Sequence, residues 1–159
     1  MLIVSDASPI IALTVCNKLN LLDKLFDRVC IPQAVFNELA IPDKPNARVI
    51  IEWSKNKIIP VKNMSVITAL SMNLDPGESE ALALYWETKA DFLLIDEKRG
   101  RTIALRNNIR TIGTIGILLS SKQRGLILSV KPFLEQLIYN GFRISEIFYQ
   151  QILERAGEL

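Results

Sequence analysis

Short apolar runs recur along this chain, each followed by a stretch in which apolar residues return at helical spacing. Leu2 to Val4 is the first, apolar throughout as a strand buried on both faces must be, and it stops at Asp6. A helix is then predicted from Pro9 to about Cys16, with Ser8 as N-cap and Pro9 at the first helical position, where its missing N–H is harmless. Leu19 to Phe26 reads as a second short helical piece and Arg28 to Ile31 as a strand. Pro32 starts a helix through Val35, Glu38 and Leu39, and Pro42-Asp43-Lys44-Pro45 has turn chemistry. Ala47 to about Lys55 is helical with Val49, Ile50 and Trp53 on one face, Ile58 to Val61 is a strand, and Met64 to Met72 is helical.

The second half repeats the alternation. Asp75-Pro76-Gly77-Glu78 has the form of a capping box, with Asp75 as N-cap and Glu78 as third helical residue, ahead of a segment apolar nearly all round, Ala81 to Trp86. Phe92 to Ile95 is a strand ending at Asp96, followed by a basic helix from Glu97 to about Asn107. A short strand at Thr111-Ile112 and a helix from Gly113-Thr114 to about Gln123 complete the pattern. Strands alternating with helices imply a mainly parallel sheet covered on both faces, a three-layer α/β/α sandwich. From Val130 onward two helices remain with no strand to pair, a C-terminal helical hairpin. The expected organisation is an α/β domain over residues 1–125 and a helical extension over 126–159, packed on the same domain or on a partner, a second copy included.

Composition narrows the chemistry more than the fold. With 159 residues, 49% hydrophobic and 23% charged, the chain suits one soluble domain. No apolar run approaches the ~20 residues needed to cross a bilayer, and no basic leader precedes the apolar start, so a cytoplasmic address is expected. Cys16 and Cys30 lie far apart in apolar contexts and read as buried free thiols. The net charge of +2 says little, but Lys98, Arg99, Arg101, Arg106 and Arg110 form a local basic cluster. The chain has no histidine, which excludes Ser-His-Asp and Cys-His nucleophiles and any histidine metal ligand. Acid–base or metal chemistry must therefore use carboxylates. No P-loop and no GxGxxG follows a strand.

Four carboxylates stand out: Asp6 after the first strand, Glu38 in the helix after the second, Glu80 in the apolar helix and Asp96 at the end of the fourth strand. Each has an ordinary alternative, Asp6 as a turn residue, Asp96 as the cap of the helix beginning at Glu97, and Glu38 as a solvated helix residue. Glu78 is accounted for by the capping box. Glu80 is spent on no such role and shares a face with Ala83 and Leu84, and an unpaired buried carboxylate must neutralise, find a cation or turn out exposed. Hard oxygen ligands without histidine suit Mg²⁺ or Mn²⁺ acting on a phosphodiester, with Lys98, Arg99 and Arg101 as candidate phosphate contacts.

Ile3-Val4-Ser5-Asp6-Ala7-Ser8-Pro9, Ile31-Pro32 with Val35 and Glu38, Gly77-Glu78-Ser79-Glu80-Ala81, Leu94-Ile95-Asp96-Glu97 with Gly100-Arg101, and Gly113-Thr114-Ile115-Gly116 follow one another in a familiar order. In that ordered set the chain resembles the PIN-domain nucleases, especially their small, toxin-like prokaryotic branch. The resemblance implies an α/β/α sandwich with a five-stranded parallel sheet, a Mg²⁺ or Mn²⁺ site, hydrolysis of RNA, and a role as the toxin of a pair whose antitoxin would block the acidic pocket. By position Asp6, Glu38, Glu80 and Asp96 match the family's acidic quartet, and Ser8 its small hydroxyl residue. The third acid is commonly aspartate and is Glu80 here; the residue after Asp96, often a second aspartate, is Glu97. A PIN-like module that binds RNA or protein without cutting is the competing reading. A phosphatase with Asp6 as nucleophile fits less well, since Ser8 stands where its second aspartate belongs.

Overall fold

The computed structural model describes residues 1–159. Its central strand is β1 (Leu2–Ser5), as the apolar start of the chain requires. Around it β2 (Arg28–Pro32), β3 (Ile58–Ile59), β4 (Phe92–Leu94) and β5 (Thr111–Ile112) form one sheet in the order β3-β2-β1-β4-β5, every pair parallel. Strand side chains alternate between two cores. Ile3, Val29, Ile31 and Leu94 enter a cluster of 25 buried residues on one face, while Val4, Cys30, Leu93 and Ile95 enter a cluster of 11 on the other. The expected α/β/α sandwich with a five-stranded parallel sheet is the fold observed.

Ten helices complete the chain: α1 (Ala7–Val15), α2 (Leu21–Leu25), α3 (Gln33–Leu39), α4 (Ala47–Ser54), α5 (Met64–Leu70), α6 (Pro76–Thr88), α7 (Lys98–Arg106), α8 (Thr114–Gln123), α9 (Lys131–Tyr139) and α10 (Glu146–Ala156). The larger core packs α1, α2 and α8 against the sheet; the smaller one holds Ala81, Leu82 and Leu84 of α6 and Ala104 of α7. Leu134 and Leu137 of α9 and Ile152 and Leu153 of α10 belong to the larger core, so the hairpin packs on the α/β unit. Cys16 and Cys30 are buried free thiols. No helix is long and apolar enough to cross a membrane.

Several boundaries differ from the sequence reading. α1 begins at Ala7 with Asp6 in the N-cap position, not at Pro9 with Ser8 as cap. Pro9 still lies in the first turn, where no backbone N–H has an intrahelical acceptor, so the proline fits two positions equally. On α4, Val49 is 53% exposed while Ile50 is buried, so the packed face excludes Val49. β3 stops at Ile59, ahead of Pro60, which has no N–H to extend the ladder.

Candidate active site

A parallel sheet opens all its carboxyl ends on one rim, and its strand order reverses at β1, with β2 on one side and β4 on the other. Asp6 leaves β1 and Asp96 follows β4 on either side of that crevice. The Asp6 N–H donates to Leu94 O at 2.9 Å, which fixes Asp6 beside β4. Its side chain is only 4% exposed. Burial, and then the carboxylates of Asp75, Glu78 and Glu38, push the Asp6 pKa up to about 7 against the lowering effect of the Ala7 N–H.

Each neighbour arrives from a different element. Glu38, on α3, lies over the first turn of α6, where Gly77 leaves room: a Cβ on Gly77 would stand 3.1 Å from Glu38 Oε2 and 3.4 Å from Asp75 Oδ1. Burial raises the Glu38 pKa and Asp75 adds to it, with Lys44 opposing. Asp75 and Glu78 form the capping box expected: the Glu78 N–H donates to Asp75 Oδ1 at 2.8 Å and the Asp75 N–H to Glu78 Oε2 at 3.2 Å. The other oxygen, Glu78 Oε1, faces Gly100 of α7, 3.1 Å from where a Cβ would sit. Glu78 is 7% exposed, and its pKa is raised by burial and by Asp75 and Glu97, while its hydrogen bond with Asp75 and the Arg99 charge oppose the rise.

Glu78 thus belongs to the acidic cluster as well as to the cap, a second role that sequence reasoning missed. The available signal was its helical register, since Glu78 shares a face with the fully buried Ala81 and Leu82. Glu80 needs the opposite correction. It is half-buried and paired, its Oε2 accepting the Ala34 N–H at 2.8 Å, so it satisfies a free donor in the first turn of α3. Two residues apart on a helix means about 200° around its axis, so Glu78 and Glu80 cannot face the same cleft.

Asp96 also departs from its expected alternative. It does not cap α7, whose N-cap residue is Glu97; it reaches across to the start of α8. The Thr114 N–H donates to Asp96 Oδ1 at 2.8 Å and the Thr114 hydroxyl to Oδ2 at 2.5 Å. A Cβ at Gly113 would stand 2.7 Å from Asp96 Oδ1 and 3.0 Å from Arg101 Nη1, so the glycine keeps this approach open. Ser8 donates to Glu97 Oε1 at 3.4 Å. Lys98 and Arg99 are exposed and Arg101 half-buried in the first turns of α7.

Asp6 and Glu38 are therefore brought together with Asp75 and Glu78, while Asp96 is held by Thr114 and Glu80 by α3. No three acidic or cysteine side chains stand at metal-ligand spacing. The family model for the PIN domain matches residues 2–158. No curated protein and no solved structure matches the chain. Because the family match leaves out only the first and last residues, and the parallel sheet observed is the one its motifs imply, this chain belongs to the PIN-domain family, a nuclease-type fold.

Proposed function

We propose that this protein is a metal-dependent endoribonuclease, hydrolysing RNA phosphodiester bonds at the cleft around Asp6. The observation that carries the reading is the crowding of that residue: three carboxylates and burial hold Asp6 near neutrality, and no cationic side chain acts on it. Such a cluster costs stability and is chemically matched to a hard divalent ion. The donor set fits Mg²⁺ or Mn²⁺ in its chemistry, with Asp6, Glu38, Glu78 and Asp96 as the residues that would hold it. When bound, the ion supplies Lewis-acid polarisation of a phosphoryl oxygen and a water of lowered pKa.

The chain's own groups do the rest. Lys98, Arg99 and Arg101 bind backbone phosphates, contacts that position a strand without reading its bases. Thr114 fixes the Asp96 carboxylate through two hydrogen bonds and so orients its remaining lone pairs. Glu97, held by Ser8, adds negative charge beside Glu78. Asp6→Asn removes the central charge at nearly constant shape; the expected outcome is loss of Mn²⁺-dependent RNA cleavage by a variant with an unchanged circular dichroism spectrum. Full cleavage by that folded variant removes Asp6 from the reaction. The further reading as a toxin rests on the resemblance to the small prokaryotic branch alone, and growth arrest on induction, relieved by Asp6→Asn, is its test.

One observation favours the non-catalytic reading: no three carboxylates stand at ligand spacing. Calorimetric titration with Mn²⁺ separates the two. Uptake that Asp6→Asn abolishes supports the nuclease; no uptake by the wild-type chain supports the binding module.

A further inference from the structure

The C-terminal hairpin closes the larger core and also walls a cavity of about 600 Å³ against the β5–α8 corner. The core contributes Asp96 and Arg101 to its lining; the hairpin contributes Phe142 and Arg143 from the α9–α10 connection and Phe148 and Arg155 from α10. A second hollow shares Phe142, Arg143 and Phe148 with the first and adds Lys98, so the cleft continues outward along α7. Its inner end touches Asp96, beside the acidic rim. Its volume is on the scale of roughly one or two nucleotides.

The charges in this cleft are unspent. None of Lys98, Arg101, Arg143 and Arg155 lies within ion-pair distance of a carboxylate. Of the two acids on the same wall, Asp96 is engaged by Thr114 and Glu97 by Ser8. Guanidinium groups free of internal partners and set about a concave surface suit phosphate oxygens, which they bind in bidentate fashion. Phe148 is 42% exposed on α10, although Ile152 and Leu153 of that helix are buried, so an aromatic side chain is left uncovered among cations. Cations alternating with an open aromatic face match a polyanion whose bases are free to stack, which is a single strand and not a duplex.

We infer that this cleft is a subsite for single-stranded nucleic acid, in which Arg101, Arg143 and Arg155 take backbone phosphates and Phe148 stacks on a base, leading the strand to the rim at Asp96. The inference deepens the nuclease reading and takes from it only the place of the scissile bond. The binding itself stands on residues outside the acidic cluster.

The test is fluorescence anisotropy in EDTA with a labelled single-stranded RNA of about ten nucleotides, within the site size of one binding groove. A DNA strand of the same sequence forms a second arm, and binding of either supports the subsite. Arg143 and Arg155 are exposed, so their alanine variants should fold as the wild type does. The double variant Arg143→Ala, Arg155→Ala should weaken binding at least about tenfold and lower the salt slope by about two. Phe148→Ala should weaken binding about fivefold with the salt slope unchanged. Lys55→Ala, at a lysine already paired with Glu52, should change nothing.

Wild-type affinity in the double variant overturns the proposal, as does preference for a duplex of the same sequence. Arginine-dependent binding of polyglutamate with no binding of either strand also overturns it and makes the cleft a protein-binding surface. Mn²⁺-dependent cleavage measured on the same proteins keeps the two readings apart. Intact cleavage with arginine-independent binding removes the subsite alone, whereas arginine-dependent binding without cleavage by the wild-type chain upholds the subsite and removes the nuclease reading.

Discussion

Asp6 is a carboxyl group whose charged form is opposed both by burial and by like charge. Its native pKa of about 7 exceeds the ordinary 3.8, so between those values the folded protein keeps a proton that the unfolded chain has released. The corresponding stabilisation is complete below about pH 4 and is lost as pH rises through about 7, a change on the order of 4 kcal/mol. Thermal melts in EDTA should therefore show a falling midpoint across that window, and Asp6→Asn should flatten the curve. Adding Mn²⁺ at pH 8 should raise the wild-type midpoint and leave Asp6→Asn almost unmoved. The two glutamates of α6 should separate in the same assay. Glu80→Ala removes a cap on α3, costing roughly 0.5–2 kcal/mol, and keeps the Mn²⁺ response. Glu78→Gln, which can preserve the capping contacts, should lose the response. Asp6 and Glu38 were legible as site residues because each lies next to a strand end or in the helix that follows one. The roles of Glu78 and Glu80 were not, because a single carboxylate can cap and face a cleft at once, and nothing in the local pattern says which oxygen is spent.

At the level of elements, helix starts do most of the positioning. α3 receives Glu80, α6 brings Asp75 and Glu78, and α8 holds Asp96 through Thr114. The capping box of α6 could be read from sequence because its two partners are three residues apart. The Asp96–Thr114 contact could not, since it joins residues 18 positions apart across two strands. Gly113 makes the α8 contact possible by size, its φ of −104° being open to any residue. Gly113→Ala should therefore act through the Cβ that would stand 2.7 Å from Asp96 Oδ1. The expected result is a loss of about 1–3 kcal/mol in urea unfolding together with a cleavage defect of tenfold or more. An equal loss of stability with wild-type cleavage would show that Asp96 need not be held where Thr114 holds it.

Across the whole molecule, the hairpin and the α/β unit are joined near the C-terminus by one side chain. Glu158 accepts the Ser129 hydroxyl at 2.5 Å, the Val130 and Lys131 N–H groups at 2.6 and 3.0 Å, and the Lys122 ammonium at 2.8 Å. Burial raises its pKa, but the hydrogen bonds from Lys122, Ser129, Val130 and Lys131 outweigh that and lower it to about 2. The stabilisation is present above the ordinary glutamate range and is lost as pH falls from about 4.5 to about 2. Glu158→Ala should lower the urea midpoint at pH 7 and show little further loss on acidification through that range, measured by tryptophan fluorescence. The sequence by itself determined the layered parallel architecture, because strand and helix periodicities are local and their alternation permits few topologies. It also determined that any chemistry here runs on carboxylates, since the chain contains no histidine. Only the tertiary structure decided which carboxylates meet: Asp75 and Glu78 join Asp6 and Glu38, Glu80 turns to Ala34, and Asp96 turns to Thr114. The reason is that a side chain's partner is set by helix rotation and by backbone donors tens of residues away, and neither leaves a mark in the local pattern.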